Sequence, residues 1–222
     1  MSTGRSLREP LLLVVAAVLM IVMTARNGQV PTFATPQRDH GSRYESAKDL
    51  PPRAALRFDR SIAPSDQQIV RQVIAEARPE ARRLVDLVSG LVTISVGEPG
   101  RGIAGQTRAT ADGYDVVLDL GGVYRSSGLR GVRRLVLHEL AHVVDLALVP
   151  GRLEAQLDDA TPRGFGCDGG RSGACAARSE RFAESFAKWA TGDIGNDVHL
   201  GYSVPPPKSL SGWGDPLASI TR

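Results

Sequence analysis

The run His138-Glu139-Leu140-Ala141-His142 has the residue types and the spacing that grip a zinc ion. On a helix, side chains four residues apart share one face, so two imidazoles placed this way reach the same ion. The glutamate after the first histidine stands beside the metal, where it can take a proton from activated water. That chemistry is hydrolytic. It requires a third protein ligand, with the fourth position kept for water, and a helix to hold the motif.

The carrier helix shows in the apolar spacing. Leu129, Val132, Leu135, Val136, Leu140, Val143, Val144 and Leu146 recur at mixed three- and four-residue intervals, the pattern of a helix largely buried in a core. Ser126 or Ser127 is expected to cap its start, and Pro150-Gly151 to end it. Residues 176–190 form a second expected helix, with Phe182, Ala183, Phe186, Ala187, Trp189 and Ala190 on its apolar face. Glu180 and Glu184 lie one turn apart on it and point the same way, so either can reach the metal. Asp145 is either a carboxylate that orients a ligand imidazole or an ordinary ion-paired aspartate. Asp145 and Leu148 occupy the positions where an H-E-x-x-H-x-x-G-x-x-H ligand set needs Gly and His, which excludes that class.

Together, H-E-L-A-H-V-V-D over 138–145 and E-R-F-A-E-S-F over 180–186 resemble the zincin metallopeptidases that use glutamate as third ligand. They are particularly similar to the catalytic domain of the anthrax lethal factor family. The resemblance covers those two segments. It implies a zincin-like α+β domain, one Zn2+ ion, a peptide or protein substrate, Glu180 as third ligand and Glu184 as a neighbouring group. It also implies a tyrosine shortly before the third ligand that assists the reaction. Residues 169–178 contain none, which leaves Tyr202 or His199, beyond the second helix, as candidate oxyanion donors. The missing tyrosine motivates an alternative: a zinc-binding surface interaction domain without peptidase activity. A further alternative is a closed site in which both Glu180 and Glu184 engage the ion.

The elements that must position these residues fit a chain of 222 residues with a 42% hydrophobic share, enough for one domain with extensions. The formal charge is only +3 and the arginines are spread along the chain, which argues against a nucleic-acid partner. Arg5 and Arg8 precede the apolar run Leu11–Met23, the layout of an export signal. Residues 1–25 are therefore expected to be a cleaved signal peptide or an uncleaved anchor, placing the remainder outside the cytoplasm, secreted or held at the membrane. The only two cysteines, Cys167 and Cys175, sit in a glycine-rich loop between the expected zinc helices. Export makes a Cys167–Cys175 disulfide the expected pairing.

Residues 26–60 are rich in Arg, Pro, Ser and Asp, and are expected to be a flexible spacer or an irregular arm anchored on the domain by Leu56 and Phe58. A domain over 61–204 follows. Ser65 and Gln68 suggest a capping box for a helix that Pro79 breaks or kinks, continuing to Val88. Three strands are expected at Leu91–Val96, Ile103–Thr110 and Tyr114–Leu120, the last two joined by an Ala111-Asp112-Gly113 turn. This order predicts an α+β domain whose small twisted sheet packs on the H-E-x-x-H helix and whose edge strand accepts a peptide. Residues 205–222, with Pro205-Pro206-Pro207 and Trp213, are expected to form an extended arm docked on the domain, or a segment offered to a partner's aromatic groove.

Overall fold

The computed structural model describes residues 32–34 (backbone only), 54–162, 176–195, 198 and 204–220. All of them belong to one compact unit, Pro31–Arg222. The apolar run at 11–23, Cys167, Cys175, His199 and Tyr202 lie outside the described residues. Among the described residues, no helix is long and apolar enough to cross a membrane.

Among the described residues five strands form one sheet: β1 (Thr32–Ala34), β2 (Arg57–Phe58), β3 (Val92–Val96), β4 (Ile103–Thr110) and β5 (Gly113–Leu118), in the order β1-β4-β5-β3-β2. Only β4 and β5 pair antiparallel, with Thr107 opposite Val116 and Arg108 opposite Asp115. The other pairs, β1 with β4, β3 with β5 and β2 with β3, are parallel. The three strands expected from alternation and β-branching are present. Two more, β1 and β2, come from the stretch expected to be a spacer.

Helices α1 (Pro64–Glu76) and α2 (Pro79–Val88) precede β3. Proline disfavours helical backbone at the residue before it, and Arg78 accordingly has ψ 149°, so Pro79 separates two helices rather than kinking one. Each opens with proline in its first turn and has no side-chain cap, so the Ser65–Gln68 capping box does not form. A proline there has no N–H to leave unsatisfied.

Helix α3 (Leu120–Leu148) is the centre of the fold. Asp119 caps it, its carboxylate accepting from the Gly122 N–H at 2.8 Å. The start therefore lies several residues before the expected Ser126 or Ser127. At Gly128 the helix is interrupted by backbone at φ 62° and ψ −163°, a left-handed φ that only glycine adopts at little cost. Beyond this break, Leu135, Val136, Leu140, Val143 and Val144 are fully buried, whereas Leu129 is 45% exposed and does not belong to the core stripe. One side of α3 packs on β4 and β5, and another on α5 (Arg178–Thr191).

Between these two helices the chain forms α4 (Gly151–Ala160), and near its end α6 (Leu210–Ala218). Neither was expected. The arm expected to be extended instead docks as a helix. Ser209 caps α6 through the Gly212 N–H, and the Trp213 Nε1–H donates to Thr161 Oγ1 at 2.9 Å. Trp213 joins Phe182, Phe186 and Trp189 in an aromatic cluster with centroids 5.5–6.4 Å apart.

Candidate metal centre

Helix α3 carries His138, Glu139 and His142 through the interior, and α5 crosses it with Glu180 and Glu184; all five side chains are buried. Burial of so many polar groups is costly unless they pair or hold a ligand. Helix α5 is buried on every side from Glu180 to Ala190, so its charged residues cannot escape to solvent either.

His138 Nε2 lies 3.1 Å from Glu180 Oε2 and His142 Nε2 lies 3.6 Å from Glu180 Oε1. The two rings stand edge to face at 79°, with centroids 4.9 Å apart. One ligating atom from each of His138, His142 and Glu180 falls within 4.8 Å of the others. Donors about 2.0–2.2 Å from a tetrahedral ion stand about 3.3–3.6 Å from one another, so the three fit around a single ion. The His142 ring adds an independent argument. Neither of its nitrogens has a hydrogen-bond partner among the described residues, an arrangement that costs about 1–3 kcal/mol when nothing compensates. Burial holds this ring neutral, its pKa lowered to about 3, so it can offer a lone pair. A buried group of two imidazoles and one carboxylate can hold a metal ion.

Glu184 faces the other ring nitrogen of His138. Its Oε2 is 3.4 Å from His138 Nδ1, while its Oε1 accepts from the Arg134 guanidinium and, at 3.1 Å, from Lys188 Nζ. A carboxylate on Nδ1 fixes the tautomer that leaves Nε2 free to ligate. Burial works against ionised Glu184, yet the His138 ring, Arg134 and Lys188 together hold its carboxyl well below the usual range. For His138 burial also disfavours charge, but the hydrogen bonds with Glu180 and Glu184 outweigh it and raise its pKa to about 9. The field of these carboxylates favours positive charge at the centre, whether a proton or a cation.

Glu139 points to the sheet. The Thr107 hydroxyl donates to its Oε2 at 2.7 Å and also lies 3.1 Å from its backbone oxygen. Its Oε1 has no hydrogen-bond partner among the described residues. Gly105, two residues before Thr107 on the same face of β4, leaves room for that oxygen: a Cβ there would come within 2.4 Å of Oε1. Burial, opposed by the His138 charge and the Thr107 hydrogen bond, pushes the Glu139 carboxyl up to about 8.

Asp145 is ion-paired: its two oxygens accept from the terminal nitrogens of Arg178 at 2.8 and 3.3 Å. Arg178 Nε also meets Glu154 at 2.7 Å, and Arg181 pairs with Asp158, so α3, α4 and α5 are clamped together beside the centre. Sequence reasoning did not single out Thr107, Gly105, Arg134, Lys188 or Arg178. Arg134 and Lys188 lie four residues from His138 and Glu184 respectively, a spacing that marks a shared helix face. Nothing local marks Thr107, because its role depends on which strand meets α3. Comparison with protein-family models, with curated proteins and with solved structures found no match to this chain.

Proposed function

We propose that the chain is an exported zinc-dependent peptidase of the zincin type. The observation that carries the reading is the convergence of His138, His142 and Glu180 on one point, next to a buried glutamate with one oxygen held and the other without a partner. Two imidazoles and one glutamate are a ligand set of catalytic zinc. When bound, zinc supplies Lewis acidity, acidifying water and polarising a carbonyl oxygen. Glu184 keeps His138 in the ligating tautomer. Glu139 receives the proton of the attacking water at Oε1 and returns it to the leaving amine, while Thr107 holds its other oxygen. The side of β4 that runs past Glu139 carries β1 at Ile103–Gln106 and, once freed of it, suits an extended peptide added as a strand.

The test is zinc content together with hydrolysis of denatured protein or a peptide library. Glu139→Gln is expected to keep about one equivalent of zinc and to lose at least about a hundredfold in turnover. Glu180→Ala is expected to lose the metal. Wild-type turnover in Glu139→Gln would refute the mechanism. The near-complete burial of His138, Glu139, His142 and Glu180 favours one other reading, a zinc-binding interaction domain without activity. On that reading zinc binds but no hydrolysis is seen.

A further inference from the structure

Strand β1 lies on the outer edge of β4, with Thr32 opposite Ile103, Phe33 opposite Gly105 and Ala34 opposite Gln106. Gly105 is the residue whose missing side chain makes room for Glu139 Oε1. Neighbouring strands run about 4.8 Å apart, so the backbone at Phe33 passes one strand spacing from the seat of the proposed general base. Strand β4 continues to Thr110, while β1 pairs only with its first half. That half contains Gly105, against which Glu139 Oε1 sits.

An unpaired sheet edge presents N–H and C=O groups that accept an extended peptide. Here they are already taken, and by a weak holder. Strand β1 makes three residue pairs with a register shift between Thr32 and Phe33, against six in register between β4 and β5. Pro31 and Pro36 bracket the segment Thr32-Phe33-Ala34-Thr35. Because proline cannot donate to a ladder, they limit how far the pairing can spread. A short strand framed by prolines can be displaced by a longer peptide that pairs along all of β4.

We propose that residues 32–34 are an intrinsic occupant of the peptide-docking edge of β4, which an incoming peptide must displace. The consequence for hydrolysis rests on the function proposed above; the strand exchange itself does not.

The test uses the full chain and two variants, Phe33→Pro and Ala34→Pro. Successive N–H groups in a strand point to opposite sides, so one of the two variants removes a donor from the pairing, whichever way the strand faces. The probe is a fluorescein-labelled synthetic peptide with the sequence of residues 29–38, followed by fluorescence anisotropy with zinc present and with zinc chelated. In at least one variant the peptide is expected to bind about tenfold more tightly than to the unaltered chain. In the same variant, without peptide, the amides of residues 103–106 are expected to exchange hydrogen about tenfold faster. Equal peptide affinity across the three chains overturns the proposal, as does unchanged exchange at 103–106. A rise of about tenfold in kcat/KM for peptide hydrolysis in the same variant supports both readings. If none of the three chains hydrolyses peptides, the peptidase assignment fails, while affinity and exchange still decide the strand.

Discussion

Thr107 and Glu139 show how one hydrogen bond can divide the work of a carboxylate. The threonine hydroxyl at 2.7 Å holds Oε2 and Gly105 clears space for Oε1, so the side chain is fixed without its second oxygen being engaged. A hydrogen bond to a charged group contributes about 1.5–3 kcal/mol. If the bond serves mainly to place the base, Thr107→Val is expected to lower kcat about ten- to hundredfold. KM and zinc content should stay near the wild-type values, and Thr107→Ser should restore most of the rate. Equal losses in Thr107→Val and Thr107→Ser would mean that the methyl packing matters rather than the hydroxyl. The candidate ligands His138 and His142 were legible because the spacing of two histidines on a helix is a local property. By helical spacing alone Glu180 and Glu184 were equivalent, since both face the same way, and only the family resemblance favoured Glu180. What separates them is the neighbours that only the fold supplies: Arg134 and Lys188 on Glu184, and both imidazoles on Glu180.

Among the elements, those with a strong apolar period were read correctly and those held by polar contacts were missed. Helix α5 is announced by Phe182, Phe186 and Trp189. Helix α4 has only Leu153 and Leu157 as large apolar residues and is fastened by Arg178–Glu154 and Arg181–Asp158, pairs that no local pattern reveals. The first turns of α3 contain Gly121 and Gly122, and α6 contains Gly212, Gly214 and Pro216, which masked helices that tertiary packing stabilises. The junction after α5 gives a test at this scale. Arg130 binds both oxygens of Asp193, whose carboxylate also accepts from the Gly195 N–H. This tie, led by the Arg130 hydrogen bond, lowers the Asp193 pKa from its usual 3.8 to about 2. A folded pKa below the unfolded one gives stability that is complete above about pH 4 and is lost as pH falls through about 2. Arg130 is 42% exposed, so solvent screening reduces the contribution to about 1 kcal/mol. Asp193→Asn is expected to destabilise by that amount at pH 7 and to match the wild type near pH 2. Urea unfolding at the two pH values measures both, and a penalty that persists at pH 2 would assign the effect to packing.

For the whole molecule, the candidate metal centre joins the α3–α5 interface to the sheet, so an ion held there would couple its binding to folding. Without an ion, the hydrogen bonds with Glu180 and Glu184 outweigh burial and leave His138 with a pKa of about 9, while burial leaves Glu139 with one of about 8, both above their unfolded values. The stabilising proton on His138 is fully present below about pH 6.5 and is lost as pH rises through 9. Ionising Glu139 in its buried seat adds a cost in the same direction. The chelated protein therefore loses stability between pH 6.5 and 9. Zinc binding behaves oppositely, because it displaces these protons and strengthens as they leave. At free zinc about a thousand times the dissociation constant, the ion adds about 4 kcal/mol, or roughly 8–16 °C in Tm for a domain of about this size. The gap between the zinc-loaded and chelated melting temperatures is expected to be of that order and to widen from pH 6.5 to 8.5. The control is His142→Ala, which removes a ligand and should abolish the gap at every pH. A gap that stays constant or narrows with rising pH in the wild type would mean that these side chains do not share one ion.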